Sequence, residues 1–308
     1  MDLRWFLKQY RMCVVVVGCM ATLPLGMASA AEKDQLGAEP RPATVKNWQI
    51  GFTPSYSSGN FGTNSTSTFV YAPWSIRRLF REGDVTLVVP FVSASTDGRT
   101  TFVGGNPTQV DSSDPGEPPD PEEPEACDTT DPENSCLTGR AAGQRVRTAG
   151  LGDVLLRGRY YAVEEKEYVP LIALTTRLKF PTANERQGLG TGQFDHGYGV
   201  ELSKMLGQNW IAFLDGGYNF LGNPNGLVLR DQYWYDIGAG YYLTKNFLAS
   251  VYFEEYRAPR AGRVNIRDFY FAFNYKFSDE WRFNGGIAVG VSNGAPDHVV
   301  SLGTSYRF

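Results

Sequence analysis

About a dozen segments of ten or so residues alternate a large apolar side chain with a small or polar one. Short turns alternate with long loops between them, and aromatic rings gather at segment ends. These three observations predict an all-β chain, a transmembrane antiparallel up-and-down β-barrel of about 12 strands. In such a barrel every second side chain meets lipid and the next meets the interior, so the average conceals the membrane face. Mean hydropathy is accordingly only −0.30. Aromatics at 14% and 34 glycines suit strands with ring girdles and a closely packed interior. The last segment is the clearest: Val300, Leu302, Tyr306 and Phe308 share one parity, and Val299, Ser301, Gly303, Ser305 and Arg307 the other. An edge strand of a soluble sandwich is the competing reading of this segment taken alone.

The first thirty residues stand outside the fold. Arg4, Lys8 and Arg11 precede an apolar run from Val14 to Met27, and Ala28-Ser29-Ala30 is a small-x-small cleavage site, the pattern of a secretory signal peptide. Val16-Val17-Gly18-Cys19 also resembles a lipoprotein processing box, but the apolar run continues past it to the conventional site. Without residues 1–30 the chain keeps 26 Lys+Arg against 32 Asp+Glu, a balance that does not recommend nucleic acid. Beyond the signal no run of eighteen apolar residues offers a membrane helix. The exported chain with its last strand ending on Phe308 resembles a bacterial outer-membrane β-barrel, a likeness that implies an outer-membrane location and a terminal aromatic read by the barrel-assembly machinery.

Residues 31–46 are a polar periplasmic lead-in, and 47–308 the barrel. The first strands are expected over 48–57, 66–74 and 85–94, with a basic turn or short amphipathic helix over 76–84. Residues 97–149 break the pattern. From Asp111 to Glu133 there are ten acidic residues, six prolines and no basic residue, a composition that cannot bury enough apolar surface to fold. This predicts one long disordered extracellular loop. Cys127 and Cys136, the cysteines left after signal removal, are expected to pair near its far end. Calcium binding by Asp128, Asp131 and Glu133 is a further reading, although their spacing matches no standard loop.

From Leu151 the alternation is steady. Turns at 164–167, 207–209, 244–246 and 278–280 alternate with loops at 181–193, 222–230 and 258–265. Trp210, Phe247, Phe277, Trp281 and Phe308 collect at the short-turn end. Phe180, Phe220, Tyr233, Phe253 and Phe269 collect at the other, as two interfacial girdles would.

Leu151-Gly-Asp153 opening a strand, Lys179-Phe-Pro-Thr182 closing one, and Gly188-Leu-Gly-Thr-Gly192 followed by Asp195 resemble the outer-membrane transporter family of the meta-pathway of phenol degradation. The resemblance implies a barrel passing small hydrophobic or aromatic molecules across the outer membrane. Lys179 and Asp195 share the lumen parity near one rim and are placed to pair across adjacent strands. The plainer reading is that these motif residues shape a loop and rim.

The lumen parity collects Asp153, Arg157, Arg159, Arg177, Lys179, Asp195, Glu201, Asp215, Asp236, Glu254, Asp268, Lys276 and Arg282, which either line a wet pore or pair off in a filled interior. Trp234, Tyr242, Tyr252, Tyr256 and Tyr270 lie on the same parity and suit either stacking on an aromatic solute or packing. No cofactor is implied. Enzymatic chemistry would have only His196 and His298 as neutral-pH bases, and neither has a nucleophile at a telling spacing. The function expected is passive uptake through a channel, with the bilayer and a small solute as partners. A structural or adhesive barrel without transport is the alternative, and a lipid-modifying enzyme a more distant one.

Overall fold

Alternation in the sequence becomes alternation in exposure. The structure, a computed structural model, describes residues 46–103, 105–109, 145–224 and 227–308. In chain order the strands are β1 (Trp48–Phe52), β2 (Ser55–Gly59), β3 (Ser67–Phe80), β4 (Gly83–Thr96), β5 (Thr100–Val103), β6 (Asn106–Gln109), β7 (Val146–Leu151) and β8 (Val154–Val163). They continue with β9 (Leu171–Phe180), β10 (Asp195–Leu206), β11 (Trp210–Phe220), β12 (Gln232–Thr244), β13 (Phe247–Tyr256), β14 (Ile266–Lys276), β15 (Trp281–Gly290) and β16 (His298–Arg307). All except β5 and β6 belong to one antiparallel sheet in which each stave pairs with the next. β1 and β2 form a single stave interrupted at Thr53-Pro54, where proline has no N–H to give. β7 and β8 form another, interrupted at Gly152-Asp153, so the barrel has 12 staves.

The ring closes between the first and last staves. β1 pairs with β16 from Gln49↔Arg307 to Phe52↔Thr304, and β2 extends the seam through Val300↔Tyr56 and Val299↔Ser57. At its lower end Trp48 N–H donates to the Phe308 carbonyl at 3.0 Å and Phe308 N–H returns the bond at 2.8 Å. Among the described residues every stave has a partner stave on both sides, which a bilayer requires because hydrocarbon offers no partner for a free N–H or C=O.

The outward parity is a band of Ile, Leu, Val and aromatic side chains, with Trp74 at 60% and Leu302 at 63% exposure, while the inward parity mixes small, polar and aromatic side chains with a few aliphatic ones such as Leu155, Ile211 and Leu248. At the short-turn end Trp281 tilts against Tyr306 at 5.0 Å and Trp210 meets Tyr241 edge-on at 4.9 Å. At the other end His196 stacks on Phe220 at 4.8 Å, beside Phe194 and Tyr198. These are the two girdles expected from the sequence.

Two expectations are corrected. Residues 76–84 form neither a helix nor an extended turn: β3 runs on to Phe80 and β4 starts at Gly83. The reason is that alternation persists there. Ile76 faces out, Arg77 faces in and is held by Asp84 at 2.6 Å, and the Arg78 guanidinium lies over the Trp48 ring at 4.9 Å. Nor is 97–149 wholly loop. β7 begins at Val146, and β5 pairs with β6 in a hairpin from Thr100↔Gln109 to Val103↔Asn106. This hairpin has an apolar seat that the acidic composition of the following segment obscured. The acidic stretch 111–133, the Cys127/Cys136 pair, the signal peptide and all of the lead-in but Lys46 lie outside the described residues.

Inside, glycines make room for rings. A Cβ on Gly217 would stand 2.8 Å from the Trp234 indole, and one on Gly286 would stand 2.6 Å from the Tyr270 ring. At Gly238 the new methyl would fall on Tyr252 Cδ1 and 2.8 Å from Cε1, with the Val251 carbonyl oxygen equally near. Gly238→Ala is therefore expected to destabilise the barrel by about 1–3 kcal/mol through overpacking. Denaturant titration of the detergent-solubilised protein checks this, and an unchanged midpoint would contradict the packing described.

Candidate channel lumen

The residues of the family-like motif, scattered over 45 positions, meet at the long-loop rim. Lys179, on β9 and 1% exposed, sends Nζ to Asp153 Oδ2 at 3.1 Å, Asp195 Oδ2 at 3.0 Å and Thr191 Oγ1 at 2.9 Å. All three of its donors are used. Register places Lys179 opposite both Leu155 and Asp195, so the pairing with Asp195 foreseen from parity is made across adjacent strands. Thr182 joins the same knot: its Oγ1 donates to the Gly152 carbonyl at 2.9 Å and accepts from Val154 N–H at 2.9 Å. Ala183 N–H donates to Asp153 Oδ1 at 3.0 Å, and Gly222 N–H to Asp195 Oδ1 at 3.0 Å. A side chain at Gly190 would strike Asp153 Oδ2 at 2.7 Å, so glycine lets the loop lie against the clasp. Three loops are thus tied to one ammonium.

The β5/β6 hairpin is held at the same end. Phe102 meets Phe69 edge-on at 5.0 Å, Phe69 meets Phe61 at 5.5 Å, and Tyr71, Val92, Ala94 and Leu189 complete the cluster. Val103 packs with Leu221, Leu227 and Leu229, and Thr101 Oγ1 donates to the Gly188 carbonyl at 2.9 Å. At the hairpin's base Arg99 Nε donates to Asp97 Oδ2 at 2.8 Å, and the Ser65 hydroxyl donates to the same oxygen. Burial works to raise the Asp97 carboxyl, but the hydrogen bonds from Arg99 and Ser65 outweigh it and hold the group below the ordinary carboxylate value. At the opposite rim the hydrogen bond from Lys46, at 2.5 Å, holds Glu280 low.

Every charged residue assigned to the lumen from the sequence lies on the inward parity. Arg157, Arg159, Arg177, Lys179, Asp195, Glu201, Asp215, Asp236, Glu254 and Asp268 are buried, while Asp153, Lys276 and Arg282 are half-buried. Their arrangement round the wall was not foreseen. Glu201↔Asp215↔Asp236↔Glu254↔Asp268 is one unbroken row of register partners on β10 to β14. With about 4.8 Å per stave, and with strands tilted, the row climbs from mid-barrel to the long-loop end. A second row runs Arg307↔Gln49↔Arg77↔Thr86↔Arg157↔Arg177, over β16, β1, β3, β4, β8 and β9. Beside the second row, Arg159 reaches over the small Ala173 of β9 to the carboxylate row, Nε to Glu201 Oε2 at 2.9 Å, and also approaches Asp84 at 3.8 Å.

The inward aromatics flank the carboxylates. On one side Trp234 and Tyr256 stack at 6.0 Å and 8°; on the other Phe213, Tyr252 and Tyr270 follow one another at 5.3 Å and 6.4 Å. Tyr242 packs against the latter group. Arg307, on the polar parity of the last strand, belongs to this interior too, and so do Arg77, Asp84 and Phe213, which parity reasoning did not single out. For Arg77 and Asp84 the signal was the alternation continuing through 76–84. The two histidines are elsewhere: His196 is in the outer girdle and His298 lies on the outward parity beside Tyr56 at 6.2 Å.

A closed, even-staved antiparallel barrel with an apolar outer band, ring girdles and a polar interior defines the class as an outer-membrane β-barrel. The sequence profile of the family described as "Putative MetA-pathway of phenol degradation" matches residues 51–308, and the chain belongs to that family. Among solved structures, the COG4313 outer membrane channel from Pseudomonas putida F1 is similar in fold, with a TM-score of 0.58 at 13% identity over 88% of this chain and 98% of that one. The KdgM porin in complex with disordered oligogalacturonate aligns with a TM-score of 0.48 at 9% identity over 84% and 99%. The CymD monoaromatic hydrocarbon channel aligns with a TM-score of 0.42 at 12% identity over 96% and 98%. No curated protein matches the chain in sequence.

The clasp yields a prediction. Lys179→Met leaves Asp153 and Asp195 facing each other without their shared cation and is expected to cost roughly 3 kcal/mol or more. Adding Asp153→Asn and Asp195→Asn should recover much of that loss. Denaturant midpoints of the three proteins check it, and additive losses would contradict a shared clasp.

Proposed function

We propose that the chain is an outer-membrane channel for passive uptake of small hydrophobic or aromatic molecules. The observation that carries this reading is the closed barrel whose inner face holds polar, charged and aromatic groups while its outer face is apolar. Family membership, with its tie to phenol degradation, supports the aromatic solute class, and the similar fold of the Pseudomonas putida channel supports the channel. In this reading Asp153, Arg157, Arg159, Arg177, Lys179, Asp195, Glu201, Asp215, Asp236, Glu254, Asp268, Lys276 and Arg282 line the route. The lead-in, once the signal is cleaved after Ala30, lies in the periplasm, and Phe308 presents the barrel to the assembly machinery. Cys127 and Cys136 pair within the extracellular acidic segment.

Uptake of labelled phenol and toluene is expected to be faster in cells carrying the gene than in cells lacking it, with the purified barrel admitting the same solutes to liposomes. A folded barrel that passes neither current nor any of these solutes would instead be the structural or adhesive one.

A further inference from the structure

The outward face carries a polar cluster that passage through the lumen does not use. At the long-loop end Tyr235, Glu255 and Arg267 are register partners on β12, β13 and β14, all on the parity that meets lipid. Glu255 is only 7% exposed because donors close round it: the Tyr235 hydroxyl at 3.1 Å, Asn265 Nδ2 at 2.7 Å and Arg267 Nε at 2.8 Å. The carboxylate thereby fixes the guanidinium along one edge, with Nη2 at a looser 3.4 Å. The Arg267 side chain is nevertheless 44% exposed, and its Nη1 makes no hydrogen bond among the described residues. A guanidinium gripped along Nε and Nη2 still offers the fork between Nη1 and Nη2, a geometry that suits a phosphate.

Positive charge is left over beside it. Arg257, one step beyond the last pair Tyr256↔Ile266, stands diagonally to Arg267 across β13 and β14, where such neighbours lie roughly 7–8 Å apart. Its Nη1 donates to the Asp231 carbonyl at 3.3 Å, and Arg230 Nη2 donates to the Arg260 carbonyl at 2.9 Å. A carbonyl accepts without cancelling the charge, and no carboxylate of the described residues pairs with either arginine. Asp231 turns its own carboxylate to Leu221 N–H at 3.1 Å. Arg260 and Arg263 have contacts of their own and are not counted. Below the cluster the outward surface changes at once to Phe253, Phe269 and Phe271, the last two 41% and 52% exposed. Long loops face outside in such barrels, so these cations stand at the outer headgroup level above an apolar wall, the complement of a lipid with phosphate over acyl chains.

We propose that this corner of the barrel binds a phosphorylated acyl glycolipid of the outer leaflet, with the phosphate held by Arg257 and Arg267 and the chains lying on Phe253, Phe269 and Phe271. Glu255 is a positioning residue: it turns the open fork of Arg267 toward the headgroup layer. The site is independent of what the lumen passes.

The test uses the full mature chain in detergent, with lipid A as the probe and heat-modifiable gel migration as the check on folding. Wild type is expected to bind bisphosphorylated lipid A about tenfold or more tighter than the same lipid stripped of its phosphates, and inorganic phosphate should fail to displace it. Arg257→Gln, which leaves the Glu255 cluster in place, and Arg267→Gln with Glu255→Gln, which removes the ion pair together, are each expected to weaken lipid A binding about tenfold. Arg81→Gln, at an exposed arginine of the short-turn end, should bind as wild type does. The wild-type comparison and Arg257→Gln decide the matter even where the paired variant does not fold. Equal affinity for the two lipids, displacement by inorganic phosphate, rim variants that bind like wild type, or an Arg81 variant weakened as much as they are, each overturns the site. So does a dimer that dissociates in the rim variants while lipid A stays unbound, since the face would then join two copies of the chain.

Discussion

The backbone hydrogen bonds between the first and last staves are the constraint on which the rest depends. In hydrocarbon an unpaired N–H or C=O costs several kcal/mol, so a sheet of this size is viable only if β1 and β2 meet β16. The Trp48 and Phe308 exchange at the foot of that seam, continued through Ile50↔Tyr306 and Val300↔Tyr56, removes both edges at once. Closure then dictates what each side chain must be. Every stave offers one face to lipid and one to a narrow interior, and the period of two leaves no residue free of the choice.

A narrow interior imposes its own chemistry. Rings as large as Trp234, Tyr252 and Tyr270 fit because glycines lie on the neighbouring staves where the rings rest. Charges are placed so that they answer one another: Arg77 with Asp84, Arg159 with Glu201, Lys179 with Asp153 and Asp195. The last of these also ties the loops at the mouth, so a single ammonium links the wall to its rim. Motif residues that look unrelated along the chain, from Gly152 to Asp195, are the parts of that one clasp.

Much of this was legible in the residues. Period-two alternation gave the staves and their facing from Leu151 to Phe308, and the parity of Lys179 and Asp195 was enough to foresee their pairing. What was not legible depended on register or on tertiary contact. The carboxylate row is invisible in one dimension, since Glu201 and Asp268 are far apart in sequence and become members of one line only when five staves align. Residues 76–84 were misread because Arg77, Arg78 and Arg81 suggested a solvated turn, whereas two of the three guanidiniums are taken up by Asp84 and the Trp48 ring. The β5/β6 hairpin was hidden by its acidic neighbour; its stability comes from Phe102 and Val103 seating against distant loops and staves, not from its own composition.

Closure itself can be measured directly. With Cys127 and Cys136 replaced by serine, Ile50→Cys and Tyr306→Cys place thiols on partnered positions of the first and last staves. The account predicts that mild oxidation links them within one chain and that the product keeps a compact gel mobility after heating, lost on reduction. Links formed only between separate chains, or none in the folded protein, would contradict a barrel joined at that seam.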